Sequence, residues 1–157
     1  MCLFPIPLGI ATISTGLFTG LLLTMLLIFQ PILNQLSATE YVEVMQRFLS
    51  VARRSPLNVT LMVTSILAPL PTLFGFYQSS NWLGFRLASM GITIFFVGMF
   101  LVSRFLNEPL YDQILGWTSK TLPIDWQAVL QQWYILNIVR VCASGSSFVI
   151  FLITLSS

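Results

Sequence analysis

Long apolar runs alternate with short polar segments along this chain, and four of the runs have the length of a membrane-spanning helix. They cover about residues 8–33, 58–77, 83–106 and 133–155. A helix needs about 20 mostly apolar residues to cross roughly 30 Å of hydrocarbon, and each run meets that need. The pattern therefore predicts an all-α protein, a bundle of four transmembrane helices in a single membrane domain over residues 1–157.

The polar segment between the first two spans has a helical period of its own. Ser37 and Glu40 match a capping box, which marks the start of a helix. The following polar face comprises Glu43, Gln46, Arg47, Ser50 and Arg54. The opposite, apolar face comprises Tyr41, Val44, Met45, Phe48 and Ala52. We predict an amphipathic interfacial helix over about residues 38–54. The alternative is a short extramembrane helix that packs on the neighbouring loops.

Proline and glycine predict the remaining interruptions. Residues 107–132 contain Pro109 and Gly116, and this composition predicts a surface connection between the third and fourth spans. Asp125 is a suitable cap for a helix that begins at Trp126 and continues into the fourth span. Two prolines in the second span, Pro69 and Pro71, predict a kink there.

Small residues recur within the spans and predict close helix contacts, because lipid tails offer no hydrophobic drive for association. The first span has the pair Gly16 and Gly20, and the fourth has a run over residues 143–147. The seam along the third span comprises Gly84, Ala88, Gly91 and Gly98.

The distribution of basic residues predicts an orientation. Only Arg86 lies on one side of the predicted membrane. The other side has Arg47, Arg53, Arg54, Arg104 and Lys120. The richer side is expected to face the cytoplasm, which puts both termini on the non-cytoplasmic side. No Lys or Arg precedes the first apolar run, so we expect a retained span rather than a cleaved signal peptide.

Composition excludes several function classes. Hydrophobic residues are 56% of the chain and charged residues 8%, whereas soluble proteins have roughly a quarter charged. The net charge of +2 is scattered, which argues against nucleic-acid binding. Histidine is absent and Cys2 and Cys142 lie far apart, so the usual ligand sets for zinc, haem and iron–sulfur clusters are missing. We expect no metal and no cofactor, and membrane lipids as surroundings.

Polar side chains gather at one end of the predicted bundle. They are Asn58 in the second span, Asn107 and Glu108 after the third, and Trp133, Asn137 and Arg140 in the fourth. Arg140 would lie about 10 Å below the interface, where it needs a counter-charge or must extend to the headgroups. Three interpretations remain open: an Arg140–Glu108 ion pair that fixes helix register, a small-molecule site, or extension of Arg140 to the lipid headgroups.

The chain resembles the anthrone oxygenase-like family of four-helix membrane proteins, also described as a domain of unknown function. The resemblance rests on a QRF…NV segment over residues 46–59, on Asn107-Glu108-Pro109-Leu110, and on Trp133 followed by Asn137-x-x-Arg140. Family members tend to have Asn-His-x-Arg in the last motif. Here Ile138 takes the place of that histidine.

The resemblance implies oxidation of an anthrone to an anthraquinone by dioxygen, without a metal or cofactor. Glu108 would then act as the base, and Arg140 and Asn137 would bind the oxyanion. Asn58, Asn107 and Trp133 would complete the site for a quinone- or anthrone-like molecule. Glu108 cannot easily serve both as the base and as the ion-pair partner of Arg140. A base needs a raised pKa, whereas pairing with Arg140 would lower the pKa of the carboxyl group.

A function of a different class is also open. The absence of histidine, the small polar portion and the glycine seam of the third span favour a non-catalytic subunit of a larger membrane complex or a homo-oligomer. A transporter is less consistent with the sequence, which has no visible inverted repeat.

Overall fold

The computed structural model describes residues 5–118 and 122–156, and in these residues the chain forms five helices and no strand. The helices are α1 (Ile6–Leu33), α2 (Ala38–Ala52), α3 (Pro56–Gln78), α4 (Trp82–Leu115) and α5 (Trp126–Ser156). All except α2 are long and apolar enough to cross a membrane, which confirms the all-α prediction and indicates an integral, multi-pass membrane protein. Cys2 and Lys120 lie outside the described residues.

Helix α5 lies at the centre of the bundle, with α1 and α4 packed along it. Its buried side chains recur every three or four residues, the spacing of one helical face. They include Trp133, Asn137, Arg140, Ser144, Ser147, Phe151 and Thr154. The polar residues on this face of the helix therefore contact protein. The opposite, exposed side carries apolar groups such as Val139 and Leu152.

The glycine seam of the third span is buried between helices. A Cβ at Gly91 would lie 2.6 Å from Phe151, and one at Gly98 would collide with Ala143. The Oγ of Ser147 donates a hydrogen bond to the carbonyl of Gly91 over 2.8 Å. The predicted packing role is correct, but the seam is not exposed to a partner. The prediction for Gly20 is wrong, since no described atom lies within 4 Å of its Cβ position.

Three helices are interrupted internally. Helix α1 changes to π-helix over Met25–Phe29 and returns to α-helix over Gln30–Leu33. Helix α3 divides into Pro56–Leu67 and Leu70–Gln78, as its prolines predict. Helix α4 changes to π-helix over Phe96–Asn107 and returns to α-helix over Glu108–Leu115. The predicted surface connection from residue 107 is therefore wrong. Pro109 is the second residue of the returning α-helix, directly after the Glu108 N–H makes the last π-type hydrogen bond, to the Ser103 carbonyl.

Helix α2 begins at the predicted capping box, with Ser37 and Glu40 bonded reciprocally. Its buried side chains are Tyr41, Val42, Met45 and Leu49. Several of them join a core cluster with Leu110, Ile114, Leu130 and Trp133 of α4 and α5. The apolar face of α2 therefore packs on other helices rather than on loops, and its location at the membrane interface stays a prediction. Val44, assigned to the apolar face, is exposed.

Candidate functional site

A cavity of about 180 Å³, here called the bundle cavity, lies where α2 packs over the ends of the other helices. All five helices contribute to its lining. Its apolar part includes Phe18, Leu22, Met25, Met62 and Met99. Its polar part comprises Arg53, Asn58, Ser103, Glu108, Tyr111, Trp133, Asn137 and Arg140. A lining with an apolar body and a few polar groups is typical of small-molecule sites.

Arg140 points into the bundle and is only 9% exposed. Its Nη1 donates to Asn137 Oδ1 over 2.9 Å and to Tyr111 Oη over 3.3 Å. Its Nε lies 3.3 Å from the sulfur of Met99. Each of these partners is neutral. Extension of the guanidinium to the headgroups, one of the three interpretations, is therefore wrong.

Glu108 is bound by Arg53 rather than by Arg140. The Nη2 of Arg53 lies 2.5 Å from Glu108 Oε2, and its Nη1 lies 2.7 Å from Asp112 Oδ1. The hydrogen bond to Asp112 is the main cause of a raised Arg53 pKa. The predicted Arg140–Glu108 ion pair is wrong, because the continued helix α4 brings Glu108 and Asp112, one turn apart, under the end of α2.

The other polar lining groups have defined neighbours. Asn137 Nδ2 donates to the Trp133 carbonyl over 2.9 Å, which leaves its Oδ1 to accept from Arg140. Asn58 Nδ2 donates to the Ala52 carbonyl over 3.1 Å and so caps the end of α2. The indole N–H of Trp133, a donor without acceptor capacity, has no partner among the described residues.

Asn107 is placed differently from the other predicted site residues. It is fully buried, and it does not line the bundle cavity. Neither its Nδ2 nor its Oδ1 has a partner within the described ranges. The structure therefore brings Asn58, Glu108, Trp133, Asn137 and Arg140 around one cavity but leaves Asn107 outside it.

Sequence reasoning missed the roles of Arg53, Met99 and Ser103 in this lining. Met99, Ser103 and Asn107 are spaced four residues apart, and a π-helix keeps that spacing closer to one face than an α-helix does. Nothing in the sequence pattern signals the π segment. Arg53 was assigned only to the basic side, and its carboxylate partners come from a distant segment.

A metal centre has no support in the described part of the chain, where no three His, Cys, Asp or Glu side chains are grouped. No protein-family model, curated protein or solved structure matches this chain. The resemblance to anthrone oxygenase-like proteins stays a prediction, and the geometry of the bundle cavity carries the functional argument.

Proposed function

We propose that the bundle cavity binds a lipophilic small molecule through a phenolic or quinone-type oxygen, which accepts hydrogen bonds from Arg140. The observation that carries this proposal is the environment of that arginine. It is buried in a membrane helix, and its contacts at Met99, Asn137 and Tyr111 are all neutral. Charged side chains in such positions are costly and commonly mark functional sites.

The donors around the cavity are incompletely used. The hydrogen bonds of Arg140 involve its Nε and Nη1, and none from its Nη2 is found among the described residues. Trp133 adds an unpaired buried N–H to the same lining. A buried donor without a partner costs about 1–3 kcal/mol, so an incoming oxygen acceptor would be stabilised. A carbonyl or phenolate oxygen offers the required lone pairs.

The size of the cavity limits the enclosed part of the ligand. An engineered protein cavity of about 150 Å³ holds one benzene molecule. The bundle cavity, at about 180 Å³, would enclose one ring comfortably. A three-ring anthrone would extend through the open side. Two lining residues, Leu21 of α1 and Val59 of α3, are also exposed, and they favour access from the lipid between these helices.

Oxidation of the ligand is the second candidate function. Glu108 lines the same cavity as Arg140, which favours a base and an oxyanion site on one ligand. The implied reaction converts the anthrone CH₂ and one O₂ into the ketone and one H₂O. Glu108 would take the first proton, and for that it would have to exchange its contact with Arg53 for one with the ligand.

Titration of the purified protein with a small quinone and with anthrone tests the proposal. We expect Arg140→Gln to weaken binding about tenfold or more, as for loss of hydrogen bonds from a charged group. Arg104→Gln changes an exposed arginine of α4 at the same end of the bundle and is the matched control. Tyr111→Phe, which removes one hydroxyl, tests the site if Arg140→Gln unfolds. Equal binding by wild type and Arg140→Gln, or no binding by wild type, would refute the site.

The alternative, a non-catalytic subunit or homo-oligomer, loses one of its supports because the glycine seam of α4 is buried within the chain. Purification in a mild detergent tests it. A stable larger complex that contains this chain, together with absence of quinone binding, would favour the alternative.

The orientation also remains a proposal. The cavity end carries Arg47, Arg53, Arg54 and Arg104, and the opposite end carries Arg86. We infer that the cavity end faces the cytoplasm and that both termini lie outside. Green fluorescent protein fused to either terminus should then stay dark in bacteria, and alkaline phosphatase should be active. Bright fluorescence at either end would reverse the assignment.

A further inference from the structure

A second groove, here called the amide groove, lies where α1 ends and α5 begins. It has a volume of about 550 Å³, within the usual range for ligand sites, and is open on one side. Its polar lining includes Gln30, Asn34, Tyr41, Trp126, Gln127 and Gln131. No residue that lines it carries a formal charge, and none also lines the bundle cavity. The amide groove is therefore a separate site.

Gln30 lines the groove and has an unused acceptor just beneath its surface, which a turn of the side chain would present to an occupant. Its Nε2 donates to Asn34 Oδ1 and to Tyr41 Oη, each over 2.9 Å. Its Oε1 is buried and has no partner among the described residues. A buried amide oxygen in that state lowers stability until a donor reaches it. An occupant with an O–H or N–H group would satisfy it.

Tyr41 supplies the complementary donor. Its hydroxyl oxygen already accepts from Gln30, so its own proton is free to point elsewhere. In the described part of the chain no acceptor for that proton is found. Burial raises the pKa of Tyr41, which keeps the phenol protonated at neutral pH. The groove thus offers an acceptor and a donor through two hydrogen-bonded neighbours.

The Gln30 acceptor and the Tyr41 donor together indicate which functional groups an occupant needs. A hydroxyl group can donate and accept at once, so hydroxyls match Gln30 Oε1 and the Tyr41 O–H together. A phosphate diester or carboxylate cannot donate, and an ammonium group cannot accept. The uncharged lining would also leave an ionic headgroup without a counter-charge. An uncharged polyol fits best.

The position of the groove favours a polyol that is the headgroup of a membrane lipid. Gln30 and Asn34 lie at the end of the first membrane helix, and Trp126 begins the fourth. Trp and Tyr are enriched at this depth, where a headgroup meets the acyl region. Leu26, about one turn deeper, extends the lining toward the hydrocarbon. Trp126 is partly exposed, and its ring, with its centroid 6.5 Å from that of the buried Tyr41, offers an apolar surface to the C–H face of a sugar.

We propose that the amide groove binds the uncharged, hydroxyl-rich headgroup of a membrane glycolipid, with Gln30 and Tyr41 bonded to its hydroxyls and the acyl chains along α1. This assignment is independent of the bundle cavity and of its ligand.

Native mass spectrometry of the full chain tests the proposal. The protein is reconstituted in phosphatidylcholine bilayers that contain a minor fraction of monoglucosyldiacylglycerol or of phosphatidylglycerol, then released in a detergent without sugar. We expect selective retention of the glucolipid. Gln30→Leu and Tyr41→Phe should each lower its retention roughly three- to tenfold, the effect of one lost hydrogen bond. Gln113→Leu, at an exposed amide outside both cavities, should not.

Three outcomes would overturn the proposal. They are equal retention of glucolipid by wild type and both groove variants, preference for phosphatidylglycerol, and displacement of the glucolipid by methyl glucoside at equal concentration. The last result would make the occupant a soluble sugar. Tyr41→Phe keeps the ring in place, so it remains informative if Gln30→Leu disturbs the fold.

Discussion

Arg53 binds Glu108 across the junction of α2 and α4, with 2.5 Å between Nη2 and Oε2. The pair joins α2 to the end of the third span. It also neutralises the carboxylate nearest to the cavity, so Arg140 faces the cavity with neutral partners. The carboxylate in the cavity lining is therefore already paired with another cation.

Arg53→Gln should affect ligand binding more than stability. The Arg53 side chain is 35% exposed, and ion pairs with that exposure contribute about 0–1 kcal/mol. Glu108, released from Arg53, would compete with the ligand for Arg140 and weaken binding. Thermal unfolding and quinone titration measure the two effects. Arg54→Gln is the matched control, because the neighbouring Arg54 is exposed and has no ion pair among the described residues. Equal effects of the two variants would contradict this role.

Gly98→Val should destabilise the bundle strongly. The new side chain would meet Ala143 of α5 directly, and overpacking of this kind costs typically 1–3 kcal/mol. Unfolding in a denaturing detergent measures the loss. Gly20→Ala is the control, since the Cβ at Gly20 meets no described atom within 4 Å. A tolerated Gly98→Val would mean that α4 and α5 do not pack this closely.

Asn107→Leu should stabilise the ligand-free protein. The Asn107 amide is fully buried without a partner, and its replacement by an apolar side chain of similar shape removes a desolvation cost of about 1 kcal/mol or more. Quinone affinity should stay unchanged, because Asn107 does not line the bundle cavity. Chemical unfolding and titration report the two quantities. A loss of binding with unchanged stability would instead restore Asn107 to the site.

The capping box of α2 should respond to acid. Hydrogen bonds from Ser37 lower the pKa of Glu40 below its ordinary value of 4.5. The ionised form therefore stabilises the folded helix fully above that ordinary value, and the contribution is lost as pH falls through the lower, folded-state pKa. Hydrogen exchange of the α2 amides should accelerate there.

The matched variant is Glu40→Gln, which keeps an acceptor without a charge that titrates. Its α2 exchange should show less dependence on pH in the acidic range once the intrinsic exchange rate is subtracted. Identical pH profiles for wild type and Glu40→Gln would separate the stability of α2 from the capping box.

The sequence predicts the helices well because their signals are local. About 20 consecutive apolar residues suffice to identify a span, and the contact of Ser37 with Glu40 involves residues three apart. The prediction fails at residues 107–115, where Pro109 indicates a break. The change from π- to α-helix accommodates this proline inside a continuous helix.

The candidate site is only partly predictable from the sequence, because some of its contacts lie within one helix and others join separate helices. Asn137 and Arg140 share a face because they lie three residues apart on one helix, so periodicity places them together. The partner of Glu108 depends on how α2 docks over α4. Five arginines lie at that end of the bundle, and the linear pattern does not show which of them is closest to the carboxylate.

The sequence by itself determined the number of spans, the start of α2 and α5, and the convergence of polar groups at one end of the bundle, since each follows from residues within a few helical turns. Only the tertiary structure decided that Arg53 takes both acidic partners, that Arg140 faces the cavity with neutral ones, and that Gln30 keeps an open acceptor in a second groove. These relationships join separate helices, and their distances depend on packing that the hydrophobic pattern does not encode.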